Sequence, residues 1–508
     1  MLPEYPQPSG PSLRRPTDRS LLALLVLQAG ATAVVLAALP YELFQLDRYT
    51  LIKELVLLVV GTTATLLCLA GAKRLTIFLV DALLAGYLGL SLVSALAAAV
   101  VVGAVTGLIQ AYGLIDSSLA SLTRAPGGTF GNRNFMAHMV AIGMPVLLLV
   151  SLEAKRRRDS VFGTIGILLA SAALVLSRSR AAWLGAAAST LFLMVEGLWV
   201  GRLWEDQQLR RRVLRLGGLA VAGLLLALVL PNRLNWRSDS PYFDSLTGVA
   251  NYKEGSGKGR LIQYGNTLGM AADHPILGVG PGNWPVHYPR YMSPGDPSFD
   301  PSDIIPTNPW PSSDWVATLA ERGVPASLCL VLVGAAVALG AWARVRRGSR
   351  YVPTLNDLTI VATLIALVVV GALDAVLLLP APTLFVWTTI GALASTARPV
   401  REVALTPRSR RALQALVGLI GGMLILRSTA QVVAMGLSDG GTRRDMELAA
   451  RIDPGSYRIH MVLAQQYRAA RRCDLARPHA ERARELFPNH PAPKALLKAC
   501  APRGRNRR

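Results

Sequence analysis

The sequence predicts an all-α fold: a polytopic transmembrane helical bundle of about eleven spans, with one large loop and a small C-terminal helical repeat domain. Three observations predict it. The 508 residues are 52% hydrophobic and 17% charged, and the apolar ones gather in long blocks that a soluble core would interrupt with polar faces. Short basic clusters separate those blocks. After Gly440 the apolar blocks stop.

Runs of roughly 20 apolar residues, enough to cross a bilayer, lie near 21–40, 52–71, 75–113, 134–152, 161–177, 181–200, 214–231, 316–342, 356–379, 383–396 and 411–435. The third is too long for one crossing and the tenth is short. Arg14, Arg15 and Arg19 precede the run Leu21 to Leu39 with no small-residue cleavage site between, so residues 1–20 read as a cytoplasmic segment before a retained first helix. The clusters Lys73-Arg74, Lys155-Arg156-Arg157-Arg158, Arg210-Arg211-Arg212, Arg344-Arg346-Arg347 and Arg408-Arg410-Arg411 share one side if the 75–113 block crosses an odd number of times. This parity implies a multi-pass membrane protein with a cytoplasmic N-terminus. Loops 114–133, 178–180 and 232–315 and the C-terminal tail would face the outside, the periplasm of a Gram-negative cell. Topology thereby accounts for a net charge of +22 that in a soluble protein would suggest nucleic acid.

The membrane domain spans 21–436, residues 440–500 form the helical tail domain, and 501–508 a basic end. Glu447, Ala449 and Pro454 recur as Glu481, Ala483 and Pro488, a spacing of 34 residues that resembles tetratricopeptide repeats. Ser456 to Ala469 would supply one helix and Asp474 to Leu486 its partner. One and a half repeats stack poorly alone, so the tail is expected to pack on the membrane domain, on another copy or on a protein partner; a capping helical hairpin explains the same pattern. Cys473 and Cys500 lie in this tail, either disulfide-bonded if it is extracytoplasmic or as two thiols, and no cysteine spacing suggests a metal site.

Function is expected in the 232–315 loop, because a long polar insertion among tight turns usually binds or catalyses. It holds Gly259-Arg260 before a helix-like stretch, then Asp273-His274-Pro275-Ile276-Leu277-Gly278-Val279-Gly280-Pro281-Gly282-Asn283-Trp284. Pro309 to Trp315 and Leu319-Ala320-Glu321-Arg322-Gly323 follow. Upstream are Gly128-Thr129-Phe130-Gly131-Asn132-Arg133-Asn134 and Ser177-Arg178-Ser179-Arg180-Ala181-Ala182. In residues and order these segments resemble the O-antigen ligase and polymerase superfamily, with its arginine before a helix, D-x-P-x-x-G-x-G-x-G-N loop, A-E-x-G segment, G-T-F-x-N-x-N stretch and S-R-small segment. The resemblance covers roughly residues 20–400.

It implies a membrane glycosyltransferase that takes a glycan from undecaprenyl diphosphate to a hydroxyl of a glycan, lipid or protein acceptor, as ligase or polymerase, without cofactor, metal or nucleotide sugar. Arg180 and Arg260 would hold the diphosphate, since guanidinium stays charged and binds phosphate oxygens in a fork. A snorkelling residue and an ordinary loop charge are the plain alternatives. Where family ligases carry A-H-N-x-Y/L, this chain reads Pro311-Ser312-Ser313-Asp314-Trp315, so the histidine taken as general base is missing. Asp314 is the nearest substitute, and its position equally predicts a cap on the helix starting at Trp315, accepting from amides near Thr318. Arg178, Asn132, Asn134, His287, Arg290, Glu321 and His138 complete the candidate substrate contacts, with Glu321 expected to brace the loop through an arginine. His138 and Asp374 lie in apolar runs, where an ionisable group is a functional candidate, although each also has a structural reading. A catalytically silent scaffold or flippase-like transporter for the same lipid-linked glycans is the alternative function.

Overall fold

The computed structural model describes residues 18–41, 44, 47–72, 74–77, 89–114, 125–199, 206–234, 236, 238–248, 253, 255–293, 295–300, 303–347, 351–394 and 401–501. Arg14 and Arg15, Lys73, the 78–88 stretch on which the crossing parity turns, part of the 114–133 loop and the basic end beyond Ala501 lie outside the described residues.

The helices are α1 Asp18–Leu36, α2 Asp47–Gly71, α3 Gly89–Tyr112, α4 Arg133–Glu153, α5 Arg157–Leu176, α6 Arg180–Trp199 and α7 Gln207–Val229, then α8 Pro241–Thr247, α9 Gly255–Asp273 and α10 Trp284–His287 in the long loop. The second half adds α11 Asp314–Arg347, α12 Tyr351–Leu373, α13 Pro380–Ala394 and α14 Pro407–Asp439, and the tail α15 Arg443–Ile452, α16 Tyr457–Ala469, α17 Cys473–Leu486 and α18 Pro491–Ala499. The fold is all-α, as apolar surroundings demand of a backbone that must satisfy its own hydrogen bonds. Two four-residue strands, Arg74–Ile77 and Arg401–Ala404, pair antiparallel.

Among the described residues six helices are long and apolar enough to cross a membrane: Asp47–Ala70, Arg133–Glu153, Arg157–Leu176, Gln207–Val229, Asp314–Ala343 and Pro407–Asp439. Shorter apolar runs occupy Leu25–Leu36, Leu96–Tyr112 and Asp357–Leu373. Within the long 75–113 block the described chain forms the strand and then the single helix α3.

Helix α4 is the hub, packed against α3, α5, α6 and α12 and buried along most of its length. Its Gly143 lets α3 close in, since a Cβ there would stand 2.1 Å from Val100 Cγ2. Lys53 of α2 is 3% exposed and donates to the carbonyls of Val34, Val35 and Ala37, satisfying groups that the end of α1 would otherwise leave unpaired.

The bundle has two distinct ends. At one, Arg212 Nη1 donates to the Leu152 carbonyl at 2.6 Å, bringing the 210–212 cluster to the 155–158 turn, and the paired strands join residues 74–77 to 401–404. At the other, the tail seats on the membrane domain. Phe44, Ala434 and Met435 share a core with α15 to α17, while Val286, Ile304 and Ile305 of the long loop pack on Tyr457, Met461 and Phe487. The 34-residue spacing puts Ala449 of α15 and Ala483 of α17 in fully buried positions, and Cys473 is disulfide-bonded to Cys500.

Candidate functional site

The site forms where α4 and α9 meet the turn between α12 and α13. Asn132, extended ahead of α4, caps it by accepting the Asn134 N–H at 2.9 Å, which aims Asn134 and, one turn on, His138 along one helix face. The preceding glycines are fixed in turn, because Gln110 Oε1 accepts from Gly127 and Gly128 N–H and Thr129 Oγ donates to the Val35 carbonyl.

Asp374 follows the last residue of α12 and gathers this face. Its Oδ2 accepts from Asn134 Nδ2 at 3.1 Å, lies 3.7 Å from His138 Nε2 and 3.9 Å from Arg260 Nη2, while Oδ1 accepts the Ala375 N–H at 2.9 Å. A buried carboxylate is stable here because an arginine, an amide and a backbone N–H surround it. Asn132, Asn134, Arg260 and Asp374 line a cavity of ≈ 220 Å³ with Gln263 and Ser312. Gln263 Oε1 accepts the Ser312 N–H at 2.6 Å, and Tyr264 Oη reaches the carbonyls of Ser312 (2.5 Å) and Ala372 (2.8 Å), tying α9 to both neighbouring segments. Ser312 therefore faces the cavity at the place where the resemblance puts a histidine.

The other sequence candidates sit around this cavity. Arg180 is bonded to the Gly248 carbonyl and to Ser256 Oγ, and Ser256 is itself a lining residue. Arg178 adopts φ +53°, an uncommon backbone for a non-glycine residue. It donates through Nε to Ser245 Oγ at 2.9 Å. Its guanidinium and that of Arg133 both lie over the Trp236 ring, at 4.6 and 4.9 Å. His138 is fully buried behind Asp374 and does not line the cavity. His287 lies on the short α10 with its ring 6.2 Å from that of His274, and Arg290 is exposed on the following turn. Burial, with the charges of His274 and Arg290, holds the His287 imidazole below its usual range.

Two candidates act on the backbone. Asp314 is 1% exposed, and its carboxylate accepts the N–H groups of Val376 and Leu377, each within 3.0 Å. It thus caps the turn carrying Asp374, and not the start of its own helix near Thr318. Glu321, expected to pair with an arginine, instead accepts the Trp284 N–H through Oε1 at 3.2 Å. Its own carbonyl accepts from Gly280, that of Ala320 from Val279, and Pro275 accepts from Val324. The glycine-rich loop and the A-E-x-G segment are one interlocked unit. Gly278 and Gly323, both at positive φ, make it possible: a Cβ on either would stand 2.2 Å from the opposing backbone. Gly323 also breaks α11 into two helical pieces.

The sequence reading did not single out Gln263, Tyr264 and Trp236, which carry no motif of their own. Asp374 had a signal, a carboxylate in an apolar run, but not its central place.

A bundle of apolar helices long enough to cross a bilayer is that of a polytopic membrane protein, here with a polar cavity at one end lined by arginine, carboxylate and amides. Residues 165–331, about a third of the chain, match the family model of the O-antigen ligases, so this segment is similar to that family. No curated protein matches the chain. The matched segment contains Arg180, Arg260, the glycine-rich loop, Asp314 and Glu321, while Asn134, His138 and Asp374 lie outside it.

Proposed function

We propose that the protein transfers a glycan from a polyprenyl diphosphate to an acceptor hydroxyl within the ≈ 220 Å³ cavity, on the outer side of a bacterial inner membrane. The observation that carries this reading is a fixed cation and a carboxylate, Arg260 and Asp374, 3.9 Å apart in one polar cavity at the end of a lipid-embedded bundle. The acceptor oxygen attacks the anomeric carbon. The bond from that carbon to the diphosphate breaks with its electron pair going to the diphosphate, and the acceptor proton passes to the Asp374 carboxylate. Arg260 stabilises the charge that develops on the leaving diphosphate, the change on which rate depends.

In this reading Arg180 holds the loop at Gly248 and Ser256 so that Arg260 meets the diphosphate, with its own charge at the rim. Asp314 becomes a positioning residue, acting through the turn that carries Asp374. The outward orientation is supported by the disulfide in the tail, a feature of oxidising compartments, and by the packing of that tail on the loop that walls the cavity.

Transfer in membranes supplied with a polyprenyl-diphosphate glycan tests it, comparing wild type with Arg260→Ala and Asp374→Asn. Both variants are expected to lose about 10²-fold or more in rate, with Asp374→Asn still binding donor. Arg260-dependent donor binding without product from wild type, across glycan, lipid and protein acceptors, would instead favour a scaffold or transporter.

A further inference from the structure

A second cavity lies at the opposite end of the bundle and has a different chemistry. It measures ≈ 420 Å³ and is walled by α4, α6, α7 and α12, with Leu149, Leu193, Met194, Leu214 and Leu358 among its lining residues and Arg210 as the charged one among the described lining residues. Asn134 of the transfer cavity and Leu149 of this one share helix α4, 15 residues apart, or ~22 Å at ~1.5 Å per residue. The two cavities therefore open at different depths of the membrane.

The mouth of the apolar cavity is basic. Arg210 lines it, Arg212 is pinned to the Leu152 and Ala154 carbonyls beside it, and Lys155, Arg156, Arg157 and Arg158 follow as four consecutive exposed cations. Gly217 and Gly218 of α7 also line the cavity, and a Cβ built on either meets no atom within 4 Å. Two adjacent helical glycines facing open space cost helix stability without any close approach between helices to account for them. The space they leave is a groove, and in a bilayer an apolar groove next to cations fills with the chains of a lipid whose headgroup carries negative charge.

We infer that this groove holds the acyl chains of one anionic phospholipid from the leaflet on the basic face, with its phosphate at Arg210. The site is separate from the transfer cavity and does not depend on the reading of that cavity. The lipid fastens α7 to α4, α6 and α12, the helices that lead to the site at the other end.

The full-length chain, delipidated in detergent, is titrated with dioleoyl phosphatidylglycerol or dioleoyl phosphatidylcholine and bound lipid is counted by native mass spectrometry. Wild type is expected to bind one phosphatidylglycerol about tenfold more tightly than phosphatidylcholine. Arg210→Gln removes that preference. Gly217→Leu combined with Gly218→Leu, which fills the groove from α7 while favouring the helix, loses phosphatidylglycerol about tenfold with its thermal midpoint kept. Leu193→Trp fills it from α6 and serves as the second variant. Equal binding of the two lipids, or phosphatidylglycerol binding unchanged in both filled variants, overturns the inference. So does a groove-dependent site that takes only polyprenyl phosphate, which would assign the space to the donor's tail.

Discussion

Arg260 Nη2 stands 3.9 Å from Asp374 Oδ2, although the full lengths of α11 and α12 separate the two residues in sequence. One belongs to a loop helix and the other to the turn after a membrane helix, so this contact fixes the loop to the bundle as well as defining the cavity.

In the proposed reaction both residues serve one step, so their losses are not expected to multiply. Arg260→Ala should cost about 10²–10³-fold in transfer rate and Asp374→Asn about 10²–10⁴-fold, with the double variant close to the worse single one. Initial rates of transfer in membranes check this, and a double variant at the product of the two losses would mean that they act independently.

Asp314→Asn separates positioning from proton transfer. The variant keeps one acceptor oxygen where the carboxylate offers two to the Val376 and Leu377 amides, so stability should fall by about 1–3 kcal/mol and transfer should fall with it. Thermal unfolding and turnover are measured on the same preparation. An unchanged midpoint with abolished turnover would restore Asp314 as the base.

The interlocked loop predicts an order among glycine substitutions. Gly278→Ala and Gly323→Ala both meet opposing backbone and hold positive φ, and should each cost more than the ~1–3 kcal/mol of backbone strain alone. Gly282→Ala shares the positive φ but meets no atom within 4 Å, and should cost only the strain. Thermal midpoints of the three variants give the ranking, and Gly282→Ala as the most damaging would contradict it.

The tail carries its own pH dependence. Burial lowers His490 to about 4, and its Nδ1 accepts the Ala492 N–H at the start of α18 while lying 3.1 Å from Tyr457 Oη. An unfolded histidine takes up its proton near pH ~6.5, so between that value and about 4 the unfolded chain binds more protons than the folded one. Stability from this group is fully present above the unfolded value and lost as pH falls through the window. His490→Asn keeps the cap without titrating, and its thermal midpoint should fall less between pH 7 and 4 than that of wild type. Parallel curves would count against the assignment.

Much of this architecture was legible because a bilayer imposes simple rules. Apolar blocks of spanning length became helices, and of the expected 456–469 and 474–486 segments residues 457–469 lie in α16, capped by Ser456, and 474–486 in α17. Arg260, Asn132 and Asn134, singled out from local motifs, come together as lining residues of one cavity because each sits close to a cap or helix start. What stayed hidden depends on contacts between distant segments. A carboxylate at a helix start predicts capping, but nothing local says that Asp314 reaches the turn 62 and 63 residues later. Glu321 likewise met an amide in place of an arginine, since the folded loop presents the Trp284 N–H to it. Trp236 lies under two guanidinium groups only after the loop folds back over Arg133 and Arg178.

The seating of the tail bears on the order in which the protein is made. Val286, Ile304 and Ile305 lean on Tyr457, Met461 and Phe487, and Asn489 Nδ2 donates to the Val286 carbonyl at 3.0 Å. Translation supplies these partners after every helix of the bundle. A ribosome that has completed the membrane domain therefore leaves this part of the loop without its support until residues 457–489 have emerged.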